Sequence, residues 1–177
     1  MKELLAGEIF DKSYIAIPIN EGQLLNWVQG INNNKIFYHM TIFFLGQIDN
    51  SDLDKVKNSL SSLTKISDGF SLAPQKLDFI GKRRDVFVLK IKETDNLLEL
   101  RNVLEKTLPE KMHLNLPFLP HVTVEKAKWG VFNRHEEKRL LDIPDISKHI
   151  EPYLTDIVGV YYRTEENATA LLYSINT

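Results

Sequence analysis

Two spacings of apolar residues run through this chain. Tyr14-Ile15-Ala16-Ile17 is a short apolar run closed by Pro18, which reads as a first strand. Asn20 then caps a helix, with Gln23 three residues on as capping-box partner. Leu24, Val28 and Ile31 recur there at helical spacing, and Asn32-Asn33-Asn34 ends the run. Ile36 to Leu45 (IFYHMTIFFL) is rich in aromatic and β-branched residues and reads as the longest, most buried strand, with Gly46 after it. Ser51 is the expected cap of a second helix, with Asp54 in its first turn and Leu53, Val56, Leu60 and Leu63 as an apolar stripe. Phe70 to Ile80 and Val86 to Ile91 predict two strands joined by the hairpin loop Gly81-Lys82-Arg83-Arg84-Asp85. Thr94 is the expected cap of a third helix carrying Leu97, Leu100, Leu104 and Leu108, which Pro109 ends. Pro120 leads into the short strand His121-Val122-Thr123-Val124. Trp129 to Leu154 gives the weakest pattern: Glu136 to Leu141 reads as a helix, and Pro144 and Pro152 suggest irregular connections. Asp156 to Tyr162 and Ala168 to Ile175 close the chain as strands.

The order is therefore β-α-β-α-β-β-α-β-(irregular)-β-β. Strands outnumber helices and hairpins are present, which predicts an α+β fold with mainly antiparallel sheet. No linker or low-complexity segment divides the chain, so residues 1–177 are expected to form one domain.

Composition narrows the chemistry. The apolar fraction is 43% and the charged fraction 26%, enough for a core without staples. With 22 Lys+Arg against 24 Asp+Glu the formal net charge is −2, which argues against wrapping a long duplex while permitting a small anion site. There is no cysteine, so disulfides, thiolate nucleophiles and Cys-type zinc sites are excluded. The first eight residues are too acidic, and their apolar run too short, for a signal peptide. No apolar stretch approaches a membrane span, so a cytoplasmic protein without membrane contact is expected.

Two of the five histidines share a local pattern: Tyr38-His39-Met40-Thr41-Ile42 and Pro120-His121-Val122-Thr123-Val124. Residues two apart on a strand share a face, so each motif presents an imidazole beside a hydroxyl. With nine threonines in the chain, chance supplies only about a quarter of one His-x-Thr, so two copies in apolar strands stand out. An imidazole titrates near pH 6.5, so one copy can be neutral and the other charged. Such a pair is a general base and a general acid, suited to in-line displacement at phosphorus. The threonine hydroxyls are neutral donors for non-bridging phosphoryl oxygens. This chemistry calls for no metal or other cofactor. Two histidines without carboxylates at ligand spacing also make a poor metal site.

Paired His-x-Thr motifs about eighty residues apart resemble the 2H phosphoesterase superfamily. The contexts His39-Met40-Thr41-Ile42-Phe43-Phe44-Leu45-Gly46 and Phe118-Leu119-Pro120-His121-Val122-Thr123-Val124 are similar to the RNA 2′,3′-cyclic phosphodiesterases, often labelled 2′-5′ RNA ligases. The likeness runs from about Tyr14 to the last strand. It implies a bilobal α+β fold: two mainly antiparallel sheets with outer helices and pseudo-two-fold symmetry around a central groove. It implies His39 and His121 as the acid–base pair and Thr41 and Thr123 as phosphate holders. It also implies opening of RNA-terminal 2′,3′-cyclic phosphates to 2′-phosphates, with 2′-5′ joining as the related reaction. The expected partners are RNA ends with a cyclic phosphate, or small cyclic nucleotides, with no obligate protein partner. Relatives often carry an arginine where Lys126 stands, and a lysine keeps the charge but loses the bidentate fork, so the expected grip is either weaker or shared with Lys128. Arg163 and the basic hairpin Lys82-Arg83-Arg84 are further substrate-binding candidates from the same likeness.

Plainer readings stand beside these. The basic hairpin is equally a solvated tip. The aromatics Phe37, Tyr38, Phe43 and Phe44 read as core, with room for one base-stacking contact. His113, His135 and His149 read as surface or loop residues. Asn167-Ala168-Thr169 matches a glycosylation sequon by chance. The competing functions are a 2H enzyme for 2′-5′ oligoadenylate or another small cyclic phosphate, and a non-catalytic binder of RNA ends.

Overall fold

Apolar strand-forming runs alternate with amphipathic helical stretches along the chain. The computed structural model describes residues 8–28, 37–65, 69–113, 117–144, 146, 152–166 and 168–176. Strand β1 spans Ile9–Ile19, α1 Glu21–Trp27, β2 Tyr38–Asp49, α2 Asn50–Ser61, β3 Phe70–Leu72, β4 Pro74–Ile80 and β5 Val86–Ile91. These are followed by α3 Asp95–Thr107, β6 His121–Lys126, α4 Arg134–Leu141, β7 Tyr153–Thr155, β8 Ile157–Arg163 and β9 Thr169–Asn176. The fold is α+β as expected. A large sheet runs β4-β5-β6-β2-β1-β8-β9, and β3 pairs with β7 in a small one. Every strand pairing among the described residues is antiparallel.

The large sheet has two halves that meet at one residue pair, Met40 opposite Val122. The two expected sheets are thus joined edge to edge into one ladder. Three strands of each half correspond, β2-β1-β8 to β6-β5-β4, and β9 extends one half by a fourth. In both, the ladder slips by one residue just after the threonine. Ile15 faces Phe43 while Ala16 faces Thr41, which makes Ile42 an extra residue. Phe87 faces Glu125 while Val88 faces Thr123, which makes Val124 an extra residue. These are β-bulges at equivalent positions.

One face of the sheet is buried under the helices. Leu24 and Trp27 of α1, Leu53, Val56 and Leu60 of α2, Leu97, Leu100 and Leu104 of α3 and Leu140 of α4 share one core cluster with Ile15, Ile17, Met40, Ile42, Leu89, Val122, Val124 and Val160. The opposite face carries only a small cluster, Tyr14, Ala16 and Tyr161 with Phe37 beside them, and no helix residue joins it among the described residues. His39, Thr41, His121 and Thr123 alternate with core residues and so lie on this second face.

Several local expectations are revised. Pro18 lies inside β1 opposite His39, not at its end; β8 pairs with β1 only at Tyr14 to Ala16, so the missing N–H breaks no ladder there. The cap of α2 is Asp49, which accepts from the Asp52 amide at 2.9 Å, while the Ser51 hydroxyl donates to the same carboxylate. Asn20 caps α1 through the Gly22 amide, and Thr94 makes no side-chain cap bond. Phe70 to Ile80 is two strands, because the chain changes sheets at Ala73, whose carbonyl accepts from the Lys92 amide. The unclear segment holds α4, closed by a capping box between Asn133 and Glu136, and the short β7. Ile31, Asn32 to Asn34, His149 and the Asn167 sequon lie outside the described residues. Among the described residues no helix is long and apolar enough to cross a membrane.

Candidate active site

The pair Met40–Val122 fixes the geometry of the site. Counting one residue each way along antiparallel strands sets His39 across from Thr123 and Thr41 across from His121. Each imidazole therefore faces a hydroxyl, and the two imidazoles lie on a diagonal. Diagonal neighbours on adjacent strands are ~7–8 Å apart, enough to admit a phosphoryl group between them. All four side chains are half-buried, which keeps them reachable from solvent.

The surroundings of the two histidines differ sharply. His39 stacks on two aromatic rings, Tyr14 with centroids 4.9 Å apart and Phe37 at 5.1 Å. Tyr161 contacts both Tyr14 and Phe37 and completes an aromatic wall. Burial pushes the Tyr161 phenol up to about 12, with Tyr14 adding to the rise, so it stays protonated. Tyr14 is also raised by burial, against the pull of a 3.3 Å hydrogen bond with Thr169 and of the nearby Arg163 guanidinium.

His121 has polar and cationic neighbours. Its Nδ1 lies 2.6 Å from the Leu119 carbonyl, and a carbonyl only accepts, so Nδ1 carries the proton. In the neutral ring this leaves Nε2 with its lone pair. Lys90 sits opposite His121 in the ladder and is itself held by Asp78 at 2.6 Å. Desolvation lowers the His121 pKa below the ordinary imidazole value. The Leu119 bond opposes this shift, and the Lys126 and Lys90 charges add to it.

The bulges select the side chains beyond each threonine that reach this face. Strict alternation would place Phe43 and Glu125 beside the motifs. Instead Phe43 is 3% exposed in the core, and Glu125 binds Arg139 of α4 on the helix side. Phe44, 44% exposed, and Lys126 take the open positions. Lys126 and Arg163 lie close enough that the guanidinium, after desolvation, lowers the lysine pKa, while Asp85 raises it. Lys126 and Arg163 thus converge on the site face.

The hairpin does not join them as a unit. Arg84 pairs with Glu137 of α4 at 3.3 Å and lies 4.8 Å over the Phe79 ring, so its charge is turned toward α4. Lys82 and Arg83 are exposed at the tip. Lys128 lies over the ring of Trp129. His113 is half-buried, within hydrogen-bonding distance of the Leu108 carbonyl, and meets the Phe43 ring edge-on from the helix side. His135 is exposed on α4.

Sequence reading missed Tyr14, Phe37 and Tyr161 as neighbours of His39, and Lys90 as the neighbour of His121. Their strands were identified, but which strands lie side by side is a property of the ladder. Among the described residues no three His, Asp or Glu side chains converge as metal ligands.

The chain is similar in sequence and in fold to known proteins. Residues 32–152 match the model of the 2′-5′ RNA ligase superfamily. An RNA 2′,3′-cyclic phosphodiesterase of Bacillus subtilis is 29% identical over 131 residues, 66% of this chain and 70% of its own. The protein of that name from Thermotoga maritima is 24% identical over 161 residues, 80% of this chain and 83% of its own. The crystal structure of E. coli LigT in apo form superposes with a TM-score of 0.67 at 17% identity, covering 96% of this chain and 98% of that one.

Proposed function

The chain belongs to the 2′-5′ RNA ligase superfamily, and we propose that it is a hydrolase opening RNA-terminal 2′,3′-cyclic phosphates to 2′-phosphates with His121 as base and His39 as acid. The observation that carries this reading is the Met40–Val122 register, which supports a four-cornered arrangement of two imidazoles and two hydroxyls around one point.

The different surroundings support the division of roles. A base must be neutral before the reaction, and desolvation with two nearby ammonium groups keeps His121 so. Its Nε2 takes a proton from water as the water oxygen bonds to phosphorus. An acid must be charged, and the Tyr14 and Phe37 rings stacked on His39 are surfaces against which an imidazolium can rest. His39 gives its proton to O3′ as the P–O3′ bond breaks, leaving the phosphate on O2′. Thr41 and Thr123 donate to the non-bridging oxygens, where charge builds in the transition state. Lys126 and Arg163 hold the anionic ligand. Phe44 offers its exposed ring to the terminal base. A 5′-hydroxyl in place of water gives the 2′-5′ joining reaction by the same proton transfers.

The test is product analysis on a short oligonucleotide with a terminal cyclic phosphate, in the presence of a chelator. A 2′-phosphate product at full rate is expected. A 3′-phosphate product, abolition by the chelator, or tight binding without turnover overturns the reading.

A further inference from the structure

We propose that Arg101, on the far side of the sheet from the site, is a positioning residue that locks the two His-x-Thr motifs in register. A bulge leaves its extra residue outside the ladder, and a buried carbonyl without a partner is costly. Ile42 is that residue in β2 and is 1% exposed. Arg101 reaches from the middle of α3, and its Nη1 donates to the Ile42 carbonyl at 3.1 Å. The same guanidinium lies 5.2 Å over the ring of Phe43 and 5.4 Å over the ring of Phe118. Phe43 comes directly after the first motif's bulge, and Phe118 stands three residues before His121. One planar cation therefore grips the end of the first motif and the approach to the second, at the seam where the half-sheets share a single pair. Its Nε is braced by Glu105 one turn on, at 2.8 Å.

The second bulge is braced in kind: Arg139 of α4 donates to both carboxylate oxygens of Glu125, next to Val124. Helix-side arginines thus hold both bulges, and the bulges bring Phe44 and Lys126 to the site face. The Arg101 clamp is the one that spans from the end of the first motif to the segment leading into the second. A methionine there keeps much of the apolar stem but donates nothing to the Ile42 carbonyl and stacks weakly on the two rings. A lysine restores the charge and one donor without the planar fork.

This inference rests on the phosphodiesterase reading for its kinetic arm, and a second arm is independent of turnover. Arg101→Met is expected to lower kcat by about 10²-fold with KM nearly unchanged, because misplacement of reacting groups costs the transition state more than the ground state. Arg101→Lys should recover part of that loss. Glu105→Gln, which leaves the guanidinium on its rings, should keep the wild-type kcat. In NMR spectra of the whole chain, the imidazole resonances of both His39 and His121 should shift in Arg101→Met and stay in place in Glu105→Gln. A wild-type chain that does not hydrolyse cyclic phosphate refutes the function but leaves the NMR arm standing. A folded Arg101→Met chain with normal kcat, or with only one histidine displaced, overturns the clamp. If Arg101→Met fails to fold, the decision passes to Arg101→Lys, where unmoved imidazoles and unchanged kcat overturn it.

Discussion

The two histidines differ in what surrounds them, and this difference is what can be measured first. Alanine at His39 or at His121 should each cost about 10²–10⁴-fold in kcat, the usual worth of one acid or base. Full rate in either variant would remove the scheme. The pH profile separates the roles. Activity requires His121 without its second proton, so the rate rises with pH through the His121 pKa. Desolvation and the Lys126 and Lys90 charges depress that pKa, so the acid limb of kcat/KM should lie below the ordinary imidazole value of about 6.5. Lys90→Met removes one ammonium from beside the ring, while Asp78 keeps Lys76 at 3.5 Å. Loss of that positive charge favours the imidazolium, so the acid limb should move to higher pH. A limb that stays in place would mean that His121 is not the base. At this scale the sequence revealed the four motif residues but not their partners, since Lys90 is 31 residues from His121 and becomes its neighbour only through the β5–β6 register.

Strands carried the pattern well and the bulges carried it badly. Apolar, aromatic and β-branched runs identified β1, β2, β5, β6, β8 and β9, but alternation assigns faces only along an unbroken pleat. One extra residue at Ile42 exchanges Phe43 and Phe44, and one at Val124 exchanges Glu125 and Lys126. Lys126 reaches the open face only because of that second bulge. No residue type announces it, since Ile and Val are good strand formers in or out of a ladder. In β8 the constraint is steric. A Cβ on Gly159 would lie 2.7 Å from the Tyr161 ring and hydroxyl, so the tyrosine lies back over the glycine and completes the wall around His39. Gly159→Ala should push that ring aside, destabilising the chain by about 1–3 kcal/mol, the usual cost of overpacking. Activity should fall with it. Thermal unfolding and kcat measured together check this; adding Tyr161→Leu should restore stability without restoring the aromatic wall. Unchanged stability in the single variant would show that the ring has room to move.

Across the whole molecule, charge decides how much RNA is held. The net charge is −2, and two of the basic side chains near the site are already engaged, Lys90 with Asp78 and Arg84 with Glu137. Lys126 and Arg163 lie within electrostatic reach of each other, and Lys82 and Arg83 are exposed at the hairpin tip. Such a surface grips one or two phosphates. On single strands each neutralised phosphate contributes about 0.7 to the slope of log affinity against log salt, so the KM of a cyclic-phosphate oligonucleotide should rise with a slope of about 0.7–1.4. A dinucleotide ending in a cyclic phosphate should then match a ten-residue oligonucleotide in kcat/KM within about threefold, because Lys126 and Arg163 already meet the phosphates that the dinucleotide carries. If instead the slope is several times steeper and kcat/KM climbs with length, the hairpin tip is in contact with the backbone. Arg83→Ala would then flatten both dependences while leaving the dinucleotide unaffected.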